Sequence, residues 1–343
     1  MELLQAEAPA TAGKQESHHD LACRILDIIF AQRRLLPGET GRDTPSESDQ
    51  PASGQCSASL MMQSERTPHL PKVRYWIERG EPINLVLPAF PAKSPSRRKT
   101  LGHLPDLGEE LAFSNLCQLC DEIGRVHAPG AKVIICSDGR VFADVVRIPD
   151  EDVTAYNDEM RRYAKAQGMH QIEFFDLDDV YPNVKDFGML REDLMVMYGE
   201  SLASLRERCR TDAAAGEMYR GITRFMVEDF SGIPAFAGMS RNALQNAARL
   251  AAYRVIQRSN AWGRLLAQHL PHAVRLSIHP QFRVSEKIGI RLVDGTDCWA
   301  TPWHSVVLKQ GEQVSLVPRA RAEQMNAALI FRNGRPSHFQ MLA

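Results

Sequence analysis

The chain has 343 residues, 44% hydrophobic and 24% charged, with a formal net charge of -1 and an isoelectric point near 6.8. This is the composition of a globular protein with a substantial core, and its charge balance argues against a nucleic-acid partner, which calls for a basic excess over a face or domain. No run approaches the roughly 18 apolar residues of a membrane span, and the N-terminus lacks the basic and apolar regions of a signal peptide, so a cytoplasmic protein with no membrane partner is expected.

Residues 1–19 are small and polar without periodicity, and are expected to be poorly ordered. Asp20 is a suitable N-cap, and Leu21, Ile25, Ile28, Ile29 and Leu36 recur at helical spacing, which predicts an amphipathic helix over about 20–36. The stretch 37–59, rich in Pro, Gly, Ser and Thr, reads as a long mobile surface loop. Residues 1–71 therefore form an N-terminal helix and loop ahead of a main domain over 72–343.

Ile83–Leu87 is a short apolar run that reads as a buried strand ended by Pro88, Pro91 and Pro95. The loop that follows carries Lys93, Ser94, Ser96, Arg97, Arg98, Lys99 and Thr100, a set of cations and hydroxyls suited to a phosphate or carboxylate. The alternative is a solvated basic loop. A helix over Asp106–Ile123 and a second strand over Lys132–Cys136 complete a strand-helix-strand unit, the start of a parallel sheet. A charged helix from about Glu151 to Gln167 and a strand over Gln171–Phe175 repeat it.

Met189–His269 reads as helical, and the tail returns to strands at Ala273–Ile278, Ile288–Val293, Ser305–Leu308, Val314–Val317 and Ala328–Phe331. The expected fold class is α/β, a Rossmann-like, mostly parallel sheet with flanking helices plus additional C-terminal strands. In such sheets ligands bind outside the carboxyl ends of the strands, and here those ends are polar.

The seven cysteines are odd in number and scattered, so free thiols are expected. Cys117 and Cys120 have C-x-x-C spacing but fall in an apolar helical stripe with no second pair, which favours buried structural thiols over a metal site. His279 and His304 each neighbour a proline-bearing strand end and are candidates for proton transfer, with a structural role as the alternative for each. Asp138 is a candidate to orient a base or an ammonium group and Arg140 to clamp a carboxylate, although Asp-Gly is also a common turn. The motifs G-x-G-x-x-G, Walker A, H-E-x-x-H and G-x-S-x-G are absent, which removes the nicotinamide, P-loop, zincin and hydrolase readings. An enzyme acting on a phosphorylated or carboxylated small molecule, or a non-catalytic binding module, remains.

Four separated segments, LPAFPAKSPSRRKTLGHLPDLGEELA from Leu87, PGAKVIICSDGRVFADVV from Pro129, VRLSIHPQ from Val274 and TPWHSVV from Thr301, resemble the isocyanide synthases of the PvcA type, which are grouped with the spore-wall dityrosine synthesis proteins. The resemblance spans roughly residues 72–343, and the family pattern often has asparagine where Ser96 stands. It implies that the α-amino group of an aromatic L-amino acid, tyrosine favoured over tryptophan, condenses with the ketone of ribulose 5-phosphate. Carbon-carbon cleavages then leave one sugar carbon on nitrogen as an isonitrile. No metal or redox cofactor is implied, and a downstream iron/2-oxoglutarate oxygenase would process the product. On this reading Lys93, Asp138, His279 and His304 are catalytic, and Ser94, Arg97, Lys99 and Thr100 seat the phosphate. Arg140 would take the carboxylate and Trp303 the aromatic ring. Formylation or another one-carbon modification of tyrosine is the alternative chemistry.

Overall fold

The computed structural model describes residues 17–36, 38–39, 62–295 and 300–342. The predicted 37–59 loop lies almost wholly outside the described residues, as do Cys56 and Cys298; Cys23, Cys117, Cys120, Cys136 and Cys209 are free thiols.

Five parallel strands form the main sheet: β1 (Ile83–Ala89), β2 (Ala131–Ser137), β3 (Ile172–Phe175), β4 (Val274–Ser277) and β5 (Ile288–Gly289), in the order β3-β2-β1-β4-β5. The chain builds outward from β1 to β3, then crosses back to lay β4 on the other side of β1. The reversal makes the carboxyl ends of β1 and β4 the switch point, where open α/β sheets hold their ligands.

Side chains alternate across the sheet, as a period of two requires. Leu85, Leu87, Val133, Ile135 and Leu276 face a core shared with α1 (His18–Ala31), α2 (Leu70–Arg79), α3 (Leu107–Gly124) and, beyond the short α4 (Gly139–Val146), with α5 (Asp150–Ala166). Val86, Ile134 and Cys136 face a second core with α6 (Leu177–Val180), α7 (Phe187–Tyr198) and α10 (Arg241–His269), the last preceded by α8 (Leu202–Thr211) and α9 (Ala213–Ser231). Helix α9 packs on α10 and α4 through Met226, Phe230, Ala248 and Val145.

A second sheet closes the chain, with strands β6 (Val306–Gln310), β7 (Gln313–Val317), β8 (Ala328–Arg332) and β9 (Arg335–Gln340) in the order β7-β6-β9-β8, and α11 (Arg319–Gln324) between β7 and β8. Asn333 and Gly334, both at positive φ, turn β8 into β9. Among the described residues no helix is long and apolar enough to cross a membrane.

The structure corrects several boundaries. Ser17, not Asp20, caps α1, accepting from the Asp20 backbone N–H. The helix stops at Ala31 instead of reaching 36, because the backbone of the next residues pairs elsewhere: Arg34 N–H donates to the Gly289 carbonyl at 2.7 Å and Leu36 N–H to that of Gln281 at 3.1 Å. Strand β1 continues through Pro88, whose missing N–H is tolerated in a parallel pairing that runs on to Ala89↔Ser137. The strand predicted over Ile288–Val293 keeps only Ile288 and Gly289, and Ile290 instead bridges to Arg33.

Asp138-Gly139 is not a free turn but the start of α4. Gly139 is needed for close approach: a Cβ there would lie 2.4 Å from the Pro91 carbonyl oxygen and 2.8 Å from Val153. Gly139→Ala should therefore destabilise the protein by roughly 1–3 kcal/mol through forced backbone movement. Urea unfolding would measure the loss, and a midpoint equal to that of the wild type would contradict the contact.

Candidate active site

Phe90 and Asp138 directly follow β1 and β2, and His279 lies two residues past β4, so all three stand at the carboxyl ends of adjacent strands. Chain direction changes abruptly here, since Phe90 and Ala92 adopt φ of 61° and 94°, left-handed values that cost a residue with a Cβ about 1–3 kcal/mol. They persist because Phe90 is fully buried, its ring 5.3 Å from Phe113 and 5.2 Å from Trp303.

The turn drives Lys93 inward. Its side chain is 0% exposed, and its Nζ lies 2.7 Å from Asp106 and 2.8 Å from Glu109 and donates to the Pro302 carbonyl at 2.9 Å. Asp106 also caps α3, Glu109 closes the capping box onto the Asp106 N–H, and the Tyr156 hydroxyl donates to Glu109 at 2.9 Å. Burial pushes the Asp106 carboxyl up to about 7 despite the ammonium beside it, while the two carboxylates outweigh the desolvation of Lys93 and raise its pKa. Lys93, expected to act on substrate, is thus enclosed in a charge cluster beneath the site.

The other loop groups also turn inward. Ser94 N–H donates to the Trp303 carbonyl at 2.9 Å, Ser94 Oγ accepts from Ser96 N–H, and Thr100 Oγ1 donates to the Ser94 carbonyl. Arg319 on α11 donates to the carbonyls of Arg97 and Thr100, pinning the loop from outside. Lys99 pairs with Asp229 at 2.8 Å. Arg97 and Arg98 stay exposed, so the geometry does not converge Lys93, Ser94, Lys99 and Thr100 on one anion.

Asp138, at the N-terminus of α4, keeps one carboxylate oxygen buried without a hydrogen-bond partner, and burial raises its pKa to about 7. His304 sits in a short 3-10 turn (Pro302–His304), with its Nδ1 buried and unpartnered. Burial lowers it to about 4 against the opposing pull of Asp229, so the imidazole is neutral at pH 7. His279 has its ring exposed to solvent, which limits the desolvation that, with the positive charges of Arg34 and Lys287, lowers its pKa. The His304 ring meets Phe225 of α9 at 4.6 Å, and Lys99 lies over the same ring at 4.4 Å, so α9, the β1 loop and the 3-10 turn meet at one place.

Two expected binding residues lie elsewhere. Arg140 donates to the Asp150 carbonyl at 2.7 Å, to Thr154 and, at 3.4 Å, to Asp178, and its guanidinium covers Phe187 at 3.7 Å. It joins α4 to α5, α6 and α7, with its donors committed to protein. Trp303 is 2% exposed and packs beneath Phe90, while the partly exposed aromatic beside His304 is Phe225, ring centroids 4.6 Å apart.

Sequence reading missed Asp106, Glu109, Tyr156, Phe225 and Asp229. The first two carried a signal, the D-x-x-E capping box ahead of an apolar run; the others come from distant segments. Lys93→Met should cost about 3–5 kcal/mol, because it strands two buried carboxylates. The stranded groups bind protons in the native state at a pH where the unfolded chain has released them, so the deficit shrinks as pH falls. Urea unfolding at pH 5 and pH 8 tests this, and an equal deficit at both would contradict it.

Comparison with known proteins fits this architecture. The family described as "Pyoverdine/dityrosine biosynthesis protein" matches residues 73–330. The chain is 42% identical to the L-tryptophan isonitrile synthase AmbI2 of Fischerella ambigua over 316 residues, covering 92% of this chain and 90% of that protein. It is 41% identical to the L-tyrosine isonitrile synthase of Pseudomonas aeruginosa over 327 residues, covering 94% and 95%. The crystal structure of the PvcA protein from Pseudomonas aeruginosa superposes with a TM-score of 0.83 at 40% identity, covering 94% of this chain and 99% of that one. A match over most of the domain, in sequence and in fold, means that the chain belongs to the pyoverdine/dityrosine biosynthesis protein family.

Proposed function

We propose that the protein is an isonitrile synthase acting on an aromatic L-amino acid, L-tyrosine favoured over L-tryptophan, with ribulose 5-phosphate as the carbon donor. The observation that carries this reading is the group of proton-handling side chains at the switch point, Asp138, His279 and His304, in a chain similar to proteins named for L-tyrosine and L-tryptophan isonitrile synthesis.

An amine attacks a ketone only as the free base, and the ammonium proton is assigned to His304, which is neutral at pH 7. Burial makes it a weak base, so the transfer needs the Asp229 charge that favours the imidazolium. The resulting carbinolamine must lose its hydroxyl as water. Asp138, about half protonated at neutral pH, is suited to supply that proton. His279 faces solvent on the β4 side and serves proton removal from sugar hydroxyls during the later carbon-carbon cleavages. Phe225 offers a partly exposed ring against which the substrate's aromatic side chain packs. For the phosphate, Arg97 and Arg98 are the exposed loop cations, and Arg34 and Lys287 add positive charge near His279. The reading makes the protein a cytoplasmic enzyme that forms a carbon-nitrogen bond by transferring one carbon, and its product is the substrate of a downstream iron/2-oxoglutarate oxygenase.

The test is incubation with ribulose 5-phosphate labelled with 13C at the ketone carbon and either L-tyrosine or L-tryptophan, followed by mass spectrometry and the isonitrile infrared stretch. A labelled isonitrile is expected, and the more productive tube names the substrate. A labelled formamide would replace the reading with N-formylation, and binding without turnover would replace it with a non-catalytic module. Because the active form of Asp138 is the protonated one, kcat should fall as pH rises through about 7. Asp138→Asn should lower kcat by about 100-fold and abolish that limb; a retained limb would assign it to another group.

A further inference from the structure

Helix α9 belongs to the long crossover between β3 and β4, remote in sequence from every strand end, yet its last turns reach the site. Asp229 is 2% exposed and its Oδ1 lies 2.8 Å from Lys99 Nζ, while Glu228 makes a longer 3.5 Å contact with the same amine from the surface. Phe225, one turn earlier, holds Lys99 Nζ 4.4 Å above its ring and meets the edge of His304 at 4.6 Å. Gly232 follows close against the loop, since a Cβ there would lie 2.0 Å from Ser96 Oγ. One carboxylate, one ammonium and one imidazole therefore gather about a single aromatic ring.

The arrangement has a direction. Lys99 fixes Asp229, and among the described residues Asp229 favours the protonated form of His304 while Lys99, His279 and Lys93 oppose it. A base that must accept a proton beside Lys99 needs a counter-charge placed in advance. Asp229, paired with the lysine that lies over the Phe225 ring which His304 meets, is placed to supply it across space, without a direct hydrogen bond. Fastening α9 to the loop is the competing role, and the pair at 2.8 Å performs it in any case.

We propose that Asp229 is a positioning residue of the reaction, which stabilises the charge that His304 acquires when it takes the substrate's proton and is itself held by Lys99. The inference rests on the isonitrile synthase reading for its role in turnover, but not for the coupling between the two side chains.

The experiment uses the full chain and variants at three positions, Asp229, His304 and Lys99. Asp229→Asn should lower kcat by about 100-fold with KM for both substrates changed by less than about threefold, and Asp229→Glu should restore about tenfold of that loss. In a His304→Gln background Asp229→Asn should have no further effect, because a residue that acts through another loses its effect with it. Separately and without substrate, 15N NMR of the imidazoles should show protonation of His304 on lowering the pH beginning earlier in the wild type than in Asp229→Asn. Lys99→Met, which removes an opposing charge, should make it begin earlier still.

Additive losses in the double variant, or identical His304 titration in wild type and Asp229→Asn, would overturn the proposal and leave Asp229 a structural fastening. If the wild type makes no isonitrile, the synthase reading falls, and the NMR titrations still decide whether Asp229 acts on His304. Should Asp229→Asn fail to fold, Asp229→Ser carries the same test, and an onset of His304 protonation equal to that of the wild type would overturn the coupling.

Discussion

An ammonium group with no contact to solvent governs the architecture of this site. Removing Lys93 from water costs several kcal/mol, which its two carboxylates and one carbonyl offset only in a narrow geometry. The partners come from two distant segments: Asp106 and Glu109 from the first turn of α3, and Pro302 from the turn that carries His304. A well-packed apolar substitute for the whole cluster would be as stable or more so. What the charges add is registration, since the ammonium accepts few arrangements of its neighbours whereas an apolar side chain would accept many. Ser94 reinforces the link by donating its N–H to the Trp303 carbonyl, so two consecutive loop residues hold two consecutive carbonyls of the His304 turn.

That registration explains where the backbone is strained. To bring Lys93 under the sheet end the chain turns sharply after β1, and the left-handed φ values of Phe90 and Ala92 are the consequence. The strain is held by neighbours that leave no room to relax: Ser137 Oγ donates to the Phe90 carbonyl, and the Pro91 carbonyl lies where a side chain on residue 139 would project. The same contacts set Asp138 at the start of α4, with one oxygen buried and unpartnered. An unpaired carboxyl there destabilises its ionised form, which is why its pKa approaches neutrality. Strain at β1 and the availability of a proton at β2 thus share one cause.

The fold was largely legible because it is written in local patterns. Short apolar runs marked β1 to β4 and β6 to β8, an apolar stripe at helical spacing from Leu107 to Ile123 marked α3, and alternating units of strand and helix implied a parallel sheet. β9 was missed even though Asn333-Gly334 advertised the turn before it. The site was legible as a place and less so as a set of contacts. Asp138, His279 and His304 could be named from their positions at strand ends, but the sequence does not say which way a lysine or arginine points. Lys93 and Arg140 look like ligand-binding cations in one dimension. Folding commits them to carboxylates and carbonyls from segments between 10 and 209 residues away. Trp303 is similar: an aromatic beside a titratable imidazole suggested a substrate platform, and packing against Phe90 claims it for the core.

The long connection between β3 and β4 has a logic beyond spanning the sheet. Doubly wound topology requires the chain to return across β1, and a minimal return needs one helix, such as α10, on the open face. Helix α9 buries a core of its own against α10 and α4, with Val145, Met226, Phe230 and Ala248 at its centre. That core is what lets the end of α9 approach the β1 loop as a rigid body. Phe225 and Asp229 are presented on successive turns of a helix and not on a loop tip, so their spacing is fixed by the helical rise. A site assembled only from strand ends would lie open on one side. Here α9 adds an apolar ring and a carboxylate to that side, where a reaction that moves protons on and off nitrogen needs protection from water and a counter-charge already in place.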